Sequence, residues 1–226
     1  MIDTLINCDC MEFMKTMQND SVDMTLTDIP YDGVNENKGH NKLRNIDKGV
    51  ADEKTFELED FLKQIDRITK GCIIVWCGVE QMPVIYRYFK NKGYPTRQLV
   101  WKKTNPSPMN GDKMYLSAVE NAVWTKRGGA LFNGKCVSNV FEYPTGSSEI
   151  HPTEKNHDLL RQLILENTKY EQVVFDPCAG SGSTLLVAGQ EGRHYIGCEL
   201  NKEFFEKADK RLKYQGGFQS KLFEDL

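Results

Sequence analysis

Asp28-Ile29-Pro30-Tyr31 places a carboxylate, a backbone carbonyl, a stiffened turn and an aromatic face in one short run. That set suits an exocyclic amine on a nucleobase. The lone pair of such an amine is delocalised into the ring, so it attacks an electrophile only when acceptors take its N–H groups. Asp28 supplies one acceptor and the Ile29 carbonyl another. Pro30 fixes the backbone, and Tyr31 offers a surface on which an extruded base can stack. A strand-ending turn with a core tyrosine uses the same residues, so this motif alone decides nothing.

A second turn, Asp176-Pro177-Cys178-Ala179-Gly180-Ser181-Gly182-Ser183-Thr184, joins a strand to a helix. Its glycines permit positive φ and close approach of a ligand to the backbone. The following helix points free N–H groups at the same place. The next strand, His194 to Cys198, ends in Glu199, about twenty residues after the glycines, where a carboxylate accepts hydrogen bonds from the two hydroxyls of a ribose. The spacing does not fit a phosphate-binding loop ending in Gly-Lys-Ser/Thr. This half alone also fits a dinucleotide-binding fold.

The elements that must position these turns alternate. Strands are expected at Val22–Thr27, Cys72–Trp76, Thr96–Trp101, Val119–Thr125, Val173–Phe175 and His194–Cys198, and helices at Phe56–Thr69, Glu80–Asn91, Glu154–Asn167, Thr184–Glu191 and Lys202–Tyr214. Gly71 is expected to close the first of these helices. Alternation implies an α/β architecture in three layers around a mainly parallel sheet. Residues 32–55 are polar and without periodicity, long for a plain connection.

With 226 residues the chain suits one domain. Hydrophobic residues at 39% and charged residues at 27% fit an ordinary globular protein. The longest apolar stretch, Cys72–Val79, is far below the ~18 residues of a membrane span, and Asp3 and Asp9 sit where a signal peptide needs apolar residues. A cytoplasmic location is expected, with no membrane partner. The seven cysteines lack framework spacing, which points to reduced thiols and no metal site. The net charge of −3 hides an asymmetry: Arg97–Lys135 carries seven Lys/Arg against two Asp/Glu, leaving −8 elsewhere. With Lys38, Lys42, Arg44 and Lys48, this basic stretch either forms a phosphate-facing side or is solvated surface.

Both turns together, in this order, resemble the amino-group DNA methyltransferases of the circularly permuted beta group, over nearly the whole chain. Asn7-Cys8-Asp9-Cys10 with Ser21-Val22-Asp23-Met24 is similar to the family's opening strand and the lead-in to its Asp-Pro-Pro-Tyr motif. Trp101 to Pro106 and Glu120 to Trp124 resemble its middle strands. Ile150 to Lys155 resembles its His-Pro-x-x-Lys-Pro segment, and Phe175 to Thr184 its glycine motif. Three positions depart: Ile29 stands for the first proline, Asn156 for the proline after Lys155, and Cys178 for a phenylalanine.

The resemblance implies a Rossmann-like, seven-stranded, circularly permuted methyltransferase domain over 1–226, with short DNA-contacting inserts at 33–55 and 104–118. It implies that S-adenosylmethionine is the methyl donor, double-stranded DNA the partner and adenine N6 the target, with the cytosine amine as the alternative, and it leaves room for a homodimer. Asp28, Ile29, Pro30 and Tyr31 would form the catalytic set. Asp9, Pro152, Thr153, Lys155, Asp176, Pro177, Cys178, Ala179, Gly180, Ser181, Gly182, Thr184, Glu199 and Leu200 would bind the cofactor, with Lys155 walling its pocket. Lys38, Lys42, Arg44, Lys48, Lys102, Lys103 and Lys113 would meet DNA. Pro177-Cys178 with Glu120-Asn121 superficially resembles the cysteine-nucleophile methylases, but the cysteine lies inside the cofactor turn. An RNA or small-molecule amine methyltransferase and a catalytically silent DNA-binding module are the rival classes.

Overall fold

The computed structural model describes residues 2–31, 56–108, 111–146 and 154–215. Eight strands and six helices follow one another along these residues. They are β1 (Thr4–Asn7), α1 (Cys10–Thr16), β2 (Val22–Asp28), α2 (Leu58–Ile68), β3 (Thr69–Cys77), α3 (Met82–Asn91), β4 (Thr96–Lys103), β5 (Val119–Lys126), β6 (Val140–Tyr143), α4 (His157–Asn167), β7 (Val173–Asp176), α5 (Ser183–Gln190), β8 (His194–Glu199) and α6 (Lys202–Gln215). All eight strands form one sheet in the order β1-β8-β7-β2-β3-β5-β4-β6. Only β5 runs against the others, pairing antiparallel with β3 and β4.

The apolar run in β3 shows why the sheet is buried on both faces. Cys72, Ile74 and Trp76 point to one side and Ile73, Val75 and Cys77 to the other, since side chains alternate along a strand. The first set packs with Leu159, Leu160, Leu163 and Ile164 of α4, Leu185 and Leu186 of α5, and Leu212 of α6. The second packs with Met14 of α1, Phe61, Leu62, Ile65 and Ile68 of α2, and Phe89 of α3. The result is the expected three-layer architecture.

Three local features differ from the sequence-based expectation. β6 is an eighth strand at the sheet edge, where seven were expected; four residues with one buried side chain carry almost no periodic signal. α1 is an additional helix, capped by Asp9, whose carboxylate accepts from the Met11 and Glu12 amides at 2.8 and 3.1 Å. Gly71 does not end a helix. It lies inside β3, where a Cβ would stand 2.1 Å from the Asp23 carbonyl oxygen, next to a register shift between β2 and β3.

Because seven of the eight strands are codirectional, the carboxyl ends of β8, β7, β2 and β3 line one edge of the sheet. The β4–β5 connection and the end of β6 lie along the same edge. The ends of β7 and β2 are neighbours there, since Thr25 pairs with Phe175. This brings Asp176 beside Asp28 across nearly 150 residues of sequence. Gly71→Ala is expected to force β2 and β3 apart and to cost about 1–3 kcal/mol, the usual range for overpacking. Urea unfolding measures it, and an unchanged midpoint would mean that the strands yield without cost.

Candidate active site

The glycine turn closes on itself before α5 begins. The Ala179 amide bonds the Cys198 carbonyl at 2.8 Å, and the Gly182 amide bonds the Ala179 carbonyl at 2.8 Å. Gly180 and Gly182 take φ of +53° and +73°, a region that side-chain-bearing residues avoid. Among the described residues, a Cβ on Gly180 would meet nothing within 4 Å. Ser181 and Thr184 are buried in the turn and the first turn of α5.

Glu199 ends β8 opposite this turn. Its two carboxylate oxygens accept from the Gly180 amide at 2.8 Å and the Asn201 amide at 2.7 Å. These bonds aim the carboxylate at the glycine turn and leave lone pairs for two hydroxyls. Burial pushes the Glu199 carboxyl above its ordinary value, against the pull of those amides. Leu200, half-exposed, follows at the rim. Asp9 stands on the neighbouring strand end, since Asn7 pairs with Glu199. Asp176 is buried with the Cys178 amide 3.1 Å from Oδ1. Burial, opposed by its hydrogen bonds, pushes its carboxyl up to about 7.

Asp28 ends β2, paired with Trp76. Its Oδ2 accepts from the Lys155 ammonium; Oδ1 is buried and takes no well-formed hydrogen bond among the described residues, while the Tyr31 hydroxyl interacts with this carboxylate. Burial pushes the Asp28 carboxyl up, Glu120 adds to that push, and Lys155 pulls against it. Lys155 is itself buried and also pairs with Glu120 Oε2 at 2.8 Å. Glu120 Oε1 pairs with Lys103 at 2.7 Å. Burial alone would raise the Glu120 carboxyl, but the lysines on its two oxygens hold it below its ordinary value. The Lys155 ammonium also lies 5.6 Å from the Trp76 ring and 6.0 Å from the Tyr31 ring. Burial and the Asp28 charge push the Tyr31 phenol well up, so it stays protonated.

Ile29 replaces a proline, yet the turn is held. Its side chain is buried in the core with Val75 and Cys77. Gln81, a residue that sequence reasoning missed, donates from Nε2 to the Pro30 carbonyl at 2.8 Å and accepts from the Gly78 amide at 2.9 Å. In the sequence it lies inside the expected helix Glu80–Asn91 and carries no signal of this role; the structure places it buried at the start of α3.

The other expectations fare unevenly. Lys155 is turned onto Asp28, which gives it a place at the target turn beyond the pocket wall first expected. Asn156, standing for a proline, caps α4 by accepting from the Asp158 and Leu159 amides at 2.9 and 3.1 Å. Cys178 packs beside Cys10, and that contact, with burial, pushes its thiol well up. A thiol held protonated is a poor nucleophile. Lys103 is committed inward to Glu120, and Lys102 pairs with Glu142 at 3.0 Å; Lys113 is exposed. Pro152, Thr153, Lys38, Lys42, Arg44 and Lys48 lie outside the described residues, as does the 33–55 segment.

The sheet, the glycine turn and the acid at the end of β8 define the Rossmann-like fold of S-adenosylmethionine-dependent methyltransferases. A family model described as DNA methylase, covering N6 and N4 enzymes, matches residues 132–210. The type II methyltransferase M.HinfI of Haemophilus influenzae is 30% identical, over 94% of this chain and 68% of its own. M2.DpnII of Streptococcus pneumoniae is 28% identical, over 92% of this chain and 89% of its own. Among solved structures, the M1.HpyAVI–SAM complex superposes with a TM-score of 0.71 at 25% identity, covering 92% of this chain and 99% of that one. The cytosine-N4-specific PvuII DNA methyltransferase shares the fold with a TM-score of 0.72 at 16% identity, over 98% of this chain and 88% of that one. The chain belongs to the N6/N4 DNA methylase family.

The raised Asp176 carboxyl has a consequence for stability. The folded protein binds this proton more tightly than the unfolded chain does. The stabilisation is complete below about pH 4, the unfolded value, and is lost as the pH rises through about 7. Asp176→Asn removes this titration. Thermal melts from pH 4 to pH 8 should show the wild type losing ground to the variant across that window; parallel curves would contradict the buried, protonated carboxyl.

Proposed function

We propose that this chain transfers a methyl group from S-adenosylmethionine to N6 of an adenine in duplex DNA. The observation that carries the reading is the buried Oδ1 of Asp28, which takes no well-formed hydrogen bond among the described residues, beside a glycine turn where a Cβ on Gly180 would meet none of them within 4 Å. A buried acceptor without a donor is costly unless a ligand supplies one.

The residues present fit the donor. The Gly180 and Gly182 backbone would take its methionine part, with Asp176 beneath the turn, and the Glu199 carboxylate would take its ribose hydroxyls. When bound, the donor supplies an electrophilic methyl on a sulfonium. Asp28 Oδ1 and the Ile29 carbonyl accept the two N–H groups of the adenine amine, which localises its lone pair on nitrogen and points it at that methyl. Tyr31 stacks on the extruded base and excludes water. As the N–C bond forms and the methyl–sulfur bond breaks to give a neutral thioether, the surplus N–H proton would pass to Asp28 and then to solvent, leaving a neutral methylated amine.

The aspartate form of the target motif favours adenine over cytosine. Lys113 on the connection along the site edge, with the basic segment at 38–48, supports contact with DNA phosphates.

Asp28→Ala is expected to cut methyl transfer by about 1,000-fold or more, the upper scale for one lost electrostatic partner, while calorimetry still detects S-adenosylmethionine binding. Cys178→Ala should keep substantial activity; loss with this change and not with the first would overturn the assignment of Asp28. Separately, incubation of unmethylated DNA with labelled donor, digestion and mass spectrometry should yield N6-methyladenine. N4-methylcytosine would keep the chemistry and overturn the target base. Absence of any methylated nucleoside, with donor binding intact, would overturn DNA as the substrate.

A further inference from the structure

Lys155 poses a problem for the reaction just described. Methyl transfer moves positive charge from the donor onto the target nitrogen. A lysine ammonium bonded to Asp28 opposes that movement, because Asp28 and Lys155 together carry no net charge. The same ammonium, if it bridged both Asp28 oxygens, would fill the seat of the target amine. The buried cluster contains one further group that answers both difficulties.

We propose that Glu120 is a positioning residue for methyl transfer, acting through Lys155. Glu120 Oε2 lies 2.8 Å from the Lys155 ammonium and is buried. It holds that ammonium between β5 and Oδ2 of Asp28, so that Oδ1 takes no hydrogen bond from it. With Lys103 on its other oxygen, its charge brings the set of Asp28, Lys155, Glu120 and Lys103 to zero, where the set without Glu120 would face the target nitrogen with a net +1. Lys103 occupies the far oxygen of Glu120 at 2.7 Å, fixing the carboxylate plane from the solvent side. The inference rests on the reading of Asp28 as the acceptor of the target amine.

The site's geometry favours this arrangement over an incidental ion pair. Glu120 lies on β5, opposite Trp101 of β4, whereas Asp28 lies on β2 with β3 between them. A carboxylate two strands away reaches Asp28 only through a long side chain placed between them, and Lys155 is that side chain. Among the described residues, the ionisable groups facing Asp28 are Lys155, Glu120, the Tyr31 phenol, the Cys77 thiol of β3 and Asp176 of β7. Tyr31 and Cys77 are held protonated by burial, so Lys155 and Glu120, with Lys103 on the far oxygen of Glu120, set the balance on that side.

Glu120→Gln keeps the shape and removes the charge. On duplex DNA with saturating labelled donor, the single-turnover rate of the full-length variant should fall by about 10- to 100-fold, the scale on which outer partners of reactive groups act. The acid limb of its pH–rate profile should move to lower pH, because Glu120 raises the Asp28 carboxyl and its loss lowers it. Affinities for donor and DNA should stay within about twofold of wild type, since Glu120 meets neither ligand. A slower rate with an unmoved acid limb and a lower melting temperature would reduce Glu120 to a structural role and overturn the inference. So would an unchanged rate. Carbon NMR of the Asp28 carboxyl in the free protein reads the same shift without any turnover. Failure of the wild type to methylate DNA therefore overturns the proposed function alone, while an Asp28 titration identical in wild type and Glu120→Gln overturns the role of Glu120.

Discussion

A carboxylate at the end of a buried strand cannot keep its charge without a partner, and this constraint organises the site. Moving an ion out of water costs several kcal/mol even after relaxation. At Asp28 the compensation comes from Lys155, 127 positions further along the chain. The lysine sits in the short non-helical stretch before α4, and Asn156 starts that helix one residue later by capping it. A helix beginning at Glu154, as periodicity suggested, would have carried Lys155 into its first turn. The non-helical backbone at 154–155 is what allows the ammonium to reach the sheet edge.

The sheet order supplies the other half of the constraint. β2, from the first part of the chain, lies between β7 and β3, so the target turn and the cofactor turn end adjacent strands although they are far apart in sequence. Their separation is set by one interstrand step of about 4.8 Å. The close packing beneath is set by small residues. A Cβ on Gly197 would stand 2.4 Å from a Leu185 methyl, so glycine in β8 lets α5 lie against the sheet and fixes where its amino end, the glycine turn, points. The same helix is buried from Ser183 to Gly189, which leaves it little freedom to shift.

What the sequence revealed, and what it concealed, divides along physical lines. The two turns were legible because strand–turn–helix punctuation is local: a proline, positive-φ glycines and an acid at a strand end are written in consecutive residues. The amphipathic helices α2 and α6 were legible for the same reason. Capping of α1 was also written locally, as Asp9 followed by Glu12 three residues on, although a seven-residue helix is easily passed over. The ion-pair chain from Lys103 through Glu120 and Lys155 to Asp28 was not legible, because it joins β4, β5, the lead-in to α4 and β2 through side chains alone. Lys103 was read as a phosphate contact since a lysine in a basic stretch gives no sign of which way it faces. β6 escaped because a four-residue edge strand with one buried side chain lacks a period to detect.

The loss of the first proline at Ile29 shows how one property can be supplied from elsewhere. In the family's Asp-Pro-Pro-Tyr pattern the ring itself restricts the backbone. Here the restriction comes from outside the turn. The Ile29 side chain is almost wholly buried at 2% exposure, its amide bonds the Trp76 carbonyl at 3.2 Å, and Gln81 ties down the Pro30 carbonyl. A covalent restraint has been replaced by tertiary ones, so the rigidity of the acceptor now depends on the β3–α3 corner that carries Gly78 and Gln81. The carbonyl and carboxylate that must face the amine are thereby coupled to the core on one side and to the Lys155–Glu120 pair on the other. In such a site, substitutions that never touch a ligand can still change the geometry of attack.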